Sequence, residues 1–391
     1  MVHACSGNCI TCGLCATAPI LEESAESGRP RLSREGYGIA IDLGTTTVVL
    51  ALANLRTGKI TARHSFLNPQ RAFGADVISR IEAANQGHLS QLKQMIREAI
   101  STGIQTLLTA EGIAPQNVID ITIAGNTVMV HLLLGFPCES LGVVPFQITH
   151  TLPTHTDSAT LFGFAGLDCK VHILPWMAAY VGGDITAGLL HVLPQGTGRF
   201  LLMDLGTNGE MALYDHGQLL VTATAAGPAF EQPVSSSQRP SLQGASAVIS
   251  ALAELVRTET MDETGYLEQE GVLSQSQVRE LQLAKSAIRS GIEILLEIAG
   301  LEYADLDNLY LAGGIGQAMD ASDAATIGLI PHALIPKAIP VGNAALAGAI
   351  DLLCNPTQME IDAKGLLSSA KEVNLAAHPR FNDLFMEYMC F

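Results

Sequence analysis

The hydrophobic pattern of the chain begins at Tyr37 and runs through one series of elements twice. GIAIDLG and VVLALANL are β-branched and aliphatic runs separated by the turn TTT, which predicts a hairpin, and KITARHSFLN supplies a third strand. Across LSQLKQMIREAISTGIQTLLTAEG apolar residues recur at helical spacing and a glycine stands near the end, so one long helix is predicted there. Strand VIDITIAG, helix NTVMVHLLLG, strand VHILPW and helix DITAGLLHVL follow. The order then restarts. FLLMDLG and EMALYD flank GTNG as a second hairpin, and QLLVTATAAG is its third strand. A long helix through SQVRELQLAKSAIRSGIEILLEIAG, strand NLYLAGG, a helix near DASDAATIG, strand KAIPVG and helix NAALAGAIDLL complete the copy.

A repeat of element order on this scale is an organisational signal. It predicts an α/β protein of two lobes, residues 36–195 and 196–391, each with a central sheet and facing the other across a cleft. Residues 1–35 read as a separate module, with cysteines and glycines first and then the polar, strand-poor linker ESAESGRPRLSREG.

Composition narrows the classes. With 391 residues, 48% hydrophobic and only 15% charged, the chain can bury a large core and is not disordered. A formal net charge of -17 argues against nucleic acid and anionic membranes as partners, because both demand a positive surface. An acidic protein can still hold ATP through local backbone donors and magnesium. No apolar run reaches the length of about eighteen residues that a membrane helix needs, and no basic segment precedes an apolar one at the N-terminus, so a cytoplasmic location is expected.

Asp42-Leu43-Gly44-Thr45 recurs as Asp204-Leu205-Gly206-Thr207, each time where one strand turns into the next. Glycine lets backbone approach a phosphate, and Thr45, Thr46 and Thr47, or Thr207, Asn208 and Gly209, add N–H and hydroxyl donors. Asp42 and Asp204 would repel a phosphate directly, so their natural role is to orient water around a divalent cation. A single copy reads more readily as a tight hairpin carrying an aspartate. Two copies in matching contexts point to paired phosphate loops.

At this point the chain resembles a known superfamily. IDLGTTTVVLAL is similar to the first phosphate motif of the actin-like ATPases and the acetate and sugar kinases, MDLGTNGEMAL to the second, and LYLAGGIG, with Gly313 and Gly314, to the adenosine motif. The resemblance implies ribonuclease H-like lobes with the nucleotide in the cleft. More narrowly, IAGNTVMVHLLLG, GGDITAGLL, DLGTNGEMAL, TAAGPAFE and VGNAALAGA together resemble the ATP-dependent reductive activators of corrinoid proteins, from about Tyr37 to Phe391. Two departures stand out. GPAFE is followed here by QPVSSSQRPSLQG instead of a glycine-bearing stretch, and there is no room before Tyr37 for the plant-type ferredoxin domain those activators usually carry.

In place of that domain stands CSGNCITCGLC. Cys5, Cys9, Cys12 and Cys15 are soft ligands close enough to wrap one metal centre. Their C-x3-C-x2-C-x2-C spacing partly matches the bacterial ferredoxin pattern, although the fourth cysteine lies upstream. It fits an iron–sulfur cluster, 4Fe–4S more than 2Fe–2S, better than zinc, which usually pairs two hooks across a longer loop. Cys138, Cys169, Cys354 and Cys390 lie apart and read as ordinary thiols.

Three polar residues carry competing readings. Asp184 in YVGGDITAG is either the carboxylate that acts on the attacking water or magnesium, or a helix cap. Glu231 is either a water-orienting carboxylate or half of a salt bridge between lobes. Asn126 either contacts the nucleotide or caps the next helix. Trp176 and the eleven histidines show no ligand-like spacing.

The resemblance implies an ATPase coupled to electron transfer. An electron would come from a donor such as ferredoxin, reach a cluster on the four cysteines, and pass to a corrinoid protein whose cobalt(II) becomes cobalt(I). Other readings keep different partners or chemistry: an activator of a 2-hydroxyacyl-CoA dehydratase or another low-potential enzyme, a small-molecule kinase of the acetate or sugar type, or an ATP sensor with structural zinc. A homodimer is one assembly the sequence leaves open.

Overall fold

The predicted repeat is realised as two six-stranded sheets that share a five-stranded order, seen in a computed structural model that describes residues 34–152, 156–193, 198–224, 229–230 and 245–391. The first half contains β1 (Tyr37–Leu43), β2 (Thr47–Asn54), β3 (Lys59–Leu67), α1 (Val77–Ala83), α2 (Leu89–Glu111), β4 (Val118–Gly125), α3 (Thr127–Leu134), α4 (Glu139–Gly142), β5 (Thr156–Asp157), α5 (Ser158–Phe162), β6 (Lys170–Ile173) and α6 (Gly183–Val192). The second contains β7 (Arg199–Leu205), β8 (Gly209–Asp215), β9 (Gln218–Thr224), α7 (Ala245–Arg257), α8 (Gln275–Ala299), β10 (Asn308–Ala312), α9 (Gly313–Ala318), α10 (Ala321–Thr326) and β11 (Ala338–Gly342). The chain closes with α11 (Ala344–Cys354), α12 (Pro356–Ser369), β12 (Ala370–Glu372) and α13 (Phe381–Glu387).

Strand order is β3-β2-β1-β4-β6-β5 in one sheet and β11-β10-β7-β8-β9-β12 in the other. Five strands correspond, β3-β2-β1-β4-β6 to β9-β8-β7-β10-β11, while the sixth joins opposite edges, β5 beside β6 and β12 beside β9. β1 and β7 each pair antiparallel with the next strand and parallel with the strand that follows the long helix. The long helices form for local reasons. In α2 the buried positions Leu92, Ile96, Ile100, Ile104 and Leu107 recur every three or four residues, and Gly112 ends the helix in the left-handed conformation. In α8 a capping box joins Ser274 to Gln277, and left-handed Gly300 ends the helix. The helix Ala245–Arg257 and everything beyond Cys354 have no counterpart among the predicted elements.

The compact units depart from the sequential division at 195/196. Ala344–Ala370 packs with the unit of the first repeat, while Lys371–Phe391 returns to the second. The reason is chemical. Every residue of α11 except Asp351 is buried, so this helix needs protein on all sides. It finds that against α6 and the first sheet: a Cβ on Gly348 would lie 2.0 Å from the Ala187 carbonyl oxygen. Thr122 Oγ1 donates to the Ala349 carbonyl at 2.8 Å, and His191 Nδ1 lies 2.8 Å from Asp351 Oδ2. In the second unit the Val373 N–H donates to Val221 O and Thr222 Oγ1 to Val373 O, at 2.8 and 2.7 Å. Each sheet is covered by its own buried apolar cluster, around Ile39, Leu50 and Ile123 in one and Leu201, Leu213 and Leu309 in the other.

Candidate functional site

In the first unit the predicted residues collect at the carboxyl ends of the parallel strands, the edge where open α/β sheets hold ligands. Asp42 lies beside Ala124 and Leu43 beside Gly125, so the turn Gly44–Thr46 emerges next to the end of β4. Asn126 follows at once and caps α3, its side-chain oxygen accepting the Val128 N–H at 2.9 Å. The start of α6 is pressed against the same point: a Cβ on Gly182 would lie 2.5 Å from the Gly125 carbonyl oxygen and 2.6 Å from the Thr127 nitrogen. The fold thereby gathers Asp42, the threonines, Asn126 and Asp184 at one edge.

Asp184 is not the cap of its helix. Gly182 holds that position, and Asp184 lies in the first turn with Oδ1 accepting the Ile185 N–H at 2.8 Å. Burial pushes its carboxyl up to about 6, against the pull of the surrounding backbone N–H groups.

Two buried side chains behind this loop went unnoticed in the sequence. Asn68 is wholly buried; its Nδ2 donates to Gly44 O at 3.0 Å and its backbone N–H to Thr46 O at 2.9 Å. Arg80, on α1, is also wholly buried and donates from Nη2 to Thr45 O at 2.6 Å. Three consecutive loop carbonyls are thus held from the core side. A peptide plane whose C=O points inward turns the next N–H outward. Neither residue has a motif signature, since the loop lies 24 and 35 positions away along the chain.

The second unit repeats the frame with different chemistry. Asp204 lies beside Ala312 at the end of β10, and the turn Gly206–Asn208 closes on itself through the Gly206 N–H to Asn208 O, 2.9 Å. Gly313 has φ +78°, and a Cβ there would meet Asp204 Oδ1 at 2.4 Å and Leu205 O at 2.6 Å. It begins α9, with Gly314 in the first turn, so the predicted adenosine glycines stand beside the second loop. Gly209 opens β8, and its carbonyl accepts from Thr224 Oγ1 at 3.1 Å. Asp204 is paired across the hairpin with buried Glu210, which places two carboxylates on one face. Asn208 Nδ2 donates to Glu210 Oε1 at 3.4 Å. Glu210 is not among the predicted site residues, although it closes the DLGTNGE motif.

Cys5, Cys9, Cys12, Cys15 and Glu231 lie outside the described residues, as does the stretch 232–244 that departs from the family pattern. Among the described residues no group of three or more His, Cys, Asp or Glu could hold a metal ion, and no helix is long and apolar enough to cross a membrane. Cys138, Cys169 and Cys354 are buried and form no disulfide, and burial pushes the first two thiols up to about 12 and about 11.

Two family models cover the chain almost end to end from β1. The RACo middle region matches residues 37–193, and the C-terminal domain of RACo, the ASKHA domain, matches 199–245 and 262–391. The chain belongs to the RACo family. One DLGT loop falls in each matched region of this RACo chain. It is 29% identical to a corrinoid activation enzyme, RamQ of Eubacterium limosum, over 90% of this chain and 69% of the relative. It is 22% identical to the [Co(II) methylated amine-specific corrinoid protein] reductase of Methanosarcina barkeri, over 90% of this chain and 76% of the relative. Among solved structures, a reductive activator for a corrinoid, iron–sulfur protein superposes with a TM-score of 0.81 at 29% identity, covering 92% of this chain and 67% of that one.

Proposed function

We propose that this chain is an ATP-dependent reductive activator, an ATPase coupled to electron transfer, that brings the cobalt of a corrinoid protein from cobalt(II) to cobalt(I). The observation that carries the proposal is RACo membership across both repeats, with a phosphate-type loop at the carboxyl edge of each sheet. Cobalt(I) is hard to reach, and coupling to ATP supplies the missing driving force.

Each loop, on its own sheet, is suited to hold nucleotide phosphate. Gly44, Thr45, Thr46 and Thr47 in one, with Gly206, Thr207, Asn208 and Gly209 in the other, offer N–H and hydroxyl donors to phosphate oxygens. Magnesium suits this donor set, since it is commonly bound through one or two carboxylates plus substrate phosphates and retained waters. Either Asp42 or Asp204, each at its own loop, would orient those waters. Asp184 and Glu231 are the two carboxylates for positioning the attacking water, and Gly313 and Gly314 let backbone pass close to the adenosine, with Asn126 near the phosphates of the first loop. ATP binding is coupled to docking of the corrinoid partner.

The thiolates of Cys5, Cys9, Cys12 and Cys15 form a soft four-donor set that fits a 4Fe–4S cluster, and such a cluster supplies one-electron chemistry when bound. A ferredoxin-type protein is the donor proposed for it, and a homodimer the assembly to test.

The deciding experiment is anaerobic purification with iron, sulfide and zinc analysis, followed by optical and paramagnetic-resonance spectra of a cobalt(II) corrinoid protein mixed with the chain and a low-potential reductant. Cobalt(I) should form only with ATP present. A colourless zinc protein, or cobalt reduction indifferent to ATP, sinks the proposal. Cys12→Ser should abolish the cluster and spare ATP binding, while Asp204→Ala should do the reverse.

A further inference from the structure

Arg80 is an expensive residue to bury where it stands. It is wholly buried, and its three hydrogen-bond acceptors are neutral: Gly74 O at 3.1 Å, Thr45 O at 2.6 Å and the Met129 sulfur at 3.1 Å. Removing a guanidinium from water costs several kcal/mol unless an opposite charge or a full set of good hydrogen bonds offsets it, and replacing buried ions by apolar residues is often neutral or stabilising. Burial brings the Arg80 group down to about 10, with Arg71 pushing the same way and Asp76, the cap of the helix, pulling weakly against them. The side chain is therefore still a cation at neutral pH.

Bracing a carbonyl needs no charge. Asn68 does the same for Gly44 through a neutral amide, one residue earlier in the same loop. A charge at Thr45 O thus calls for a reason beyond the hydrogen bond. The outer side of the loop is the place for it: with the Thr45 carbonyl turned to the core, an anion resting on the other side meets the Arg80 charge through a single peptide. At low local dielectric that attraction is screened far less than between surface groups.

We infer that Arg80 is a positioning residue for the triphosphate, holding the Thr45 carbonyl inward and setting a fixed positive charge one peptide behind the anion-facing side of the first loop. This rests on the phosphate-loop reading given above. It assigns the first loop a preference that scales with ligand charge, so ATP depends on Arg80 more than ADP does, and adenosine hardly at all.

The test is isothermal titration of the full chain with magnesium and ATP, ADP or adenosine, alongside thermal unfolding of the ligand-free protein. Arg80→Met keeps the bulk and removes the charge; it should weaken ATP by about tenfold or more, ADP less, and leave adenosine within about twofold. Arg80→Lys retains a cation but not the planar fork, and should recover most of the ATP affinity while melting lower than wild type. An equal loss for all three ligands, or a lower melting temperature with ATP affinity unchanged, overturns the inference and leaves Arg80 a core strut. Should Arg80→Met fail to fold, the lysine variant decides: a folded Arg80→Lys whose ATP preference over adenosine has collapsed also overturns it. ATP binding untouched by Gly44→Ala and Asp204→Ala alike would instead defeat the phosphate-loop reading itself.

Discussion

The two DLGT loops share a frame and differ in what stands around it. Behind the first are Asn68 and Arg80, two buried donors that tie down the carbonyls of Gly44, Thr45 and Thr46. The second is closed by its own Gly206–Asn208 hydrogen bond, and its distinguishing feature is a pair of carboxylates, Asp204 and Glu210, where the first hairpin sets Asp42 opposite Val49. Even the central glycines differ. A Cβ on Gly44 would sit 2.5 Å from Thr47 O, whereas nothing lies within 4 Å of one on Gly206. A repeat can therefore keep strand order and turn position while its copies diverge in charge, with a buried arginine behind one turn and a second carboxylate beside the other.

The comparison breaks most readily at the glycines. Gly44→Ala should cost about 2–3 kcal/mol through overpacking against backbone, lowering the melting temperature by several degrees, while Gly206→Ala stays within about 0.5 kcal/mol. Equal shifts in differential scanning calorimetry would erase the asymmetry. Gly313→Ala comes next. Its positive φ and the 2.4 Å approach to Asp204 Oδ1 mean the second loop must move, so ATP hydrolysis should fall about tenfold. Steady-state kinetics that match wild type would detach Gly313 from the site.

A smaller effect attaches to Asp184. Its carboxyl is raised from 3.8 to about 6 by burial, so the folded chain binds that proton more tightly than the unfolded one. Stability from this group is full below the unfolded value and is lost as pH rises through about 6. Asp184→Asn should thus gain stability on wild type as pH rises from about 4 to about 7 and be no more stable near pH 4, read by thermal melts across that range. A constant difference across the range would remove the titration from the account. Smallest of all, Glu210→Gln should raise the magnesium needed for half-maximal hydrolysis about threefold, by halving the charge opposite Asn208 and beside Asp204. An unchanged magnesium titration would return the second loop to parity with the first.

Much of this was readable beforehand because it is local. A hairpin turn, a helical stripe such as Leu92–Ile96–Ile100, and a left-handed glycine at a helix end are each written in a few neighbouring residues. Asn126 as a cap is of this kind, since an asparagine before an apolar run is a helix-start signal. Asp184 was half legible: the helix start was expected there, but which residue caps it depends on how closely Gly182 approaches β4. Arg80 was not legible at all, because a lone arginine on a short helix reads as a solvated charge until the core closes over it.

The amino-acid sequence alone determined the repeated strand order, the two turns, the long helices with their ends, and the motifs that carry the family resemblance. Those features follow from periodicity and backbone preference within a window of a few turns. Tertiary structure decided what stands behind and beside each turn. It placed Asn68 and Arg80 under Gly44–Thr46, brought Asp184 to the edge shared by Asp42 and Asn126, and returned Ala344–Ala370 to the first repeat. Such choices depend on packing between residues up to 227 positions apart, as Thr122 and Ala349 are. No local period records which of several apolar faces a buried helix will meet.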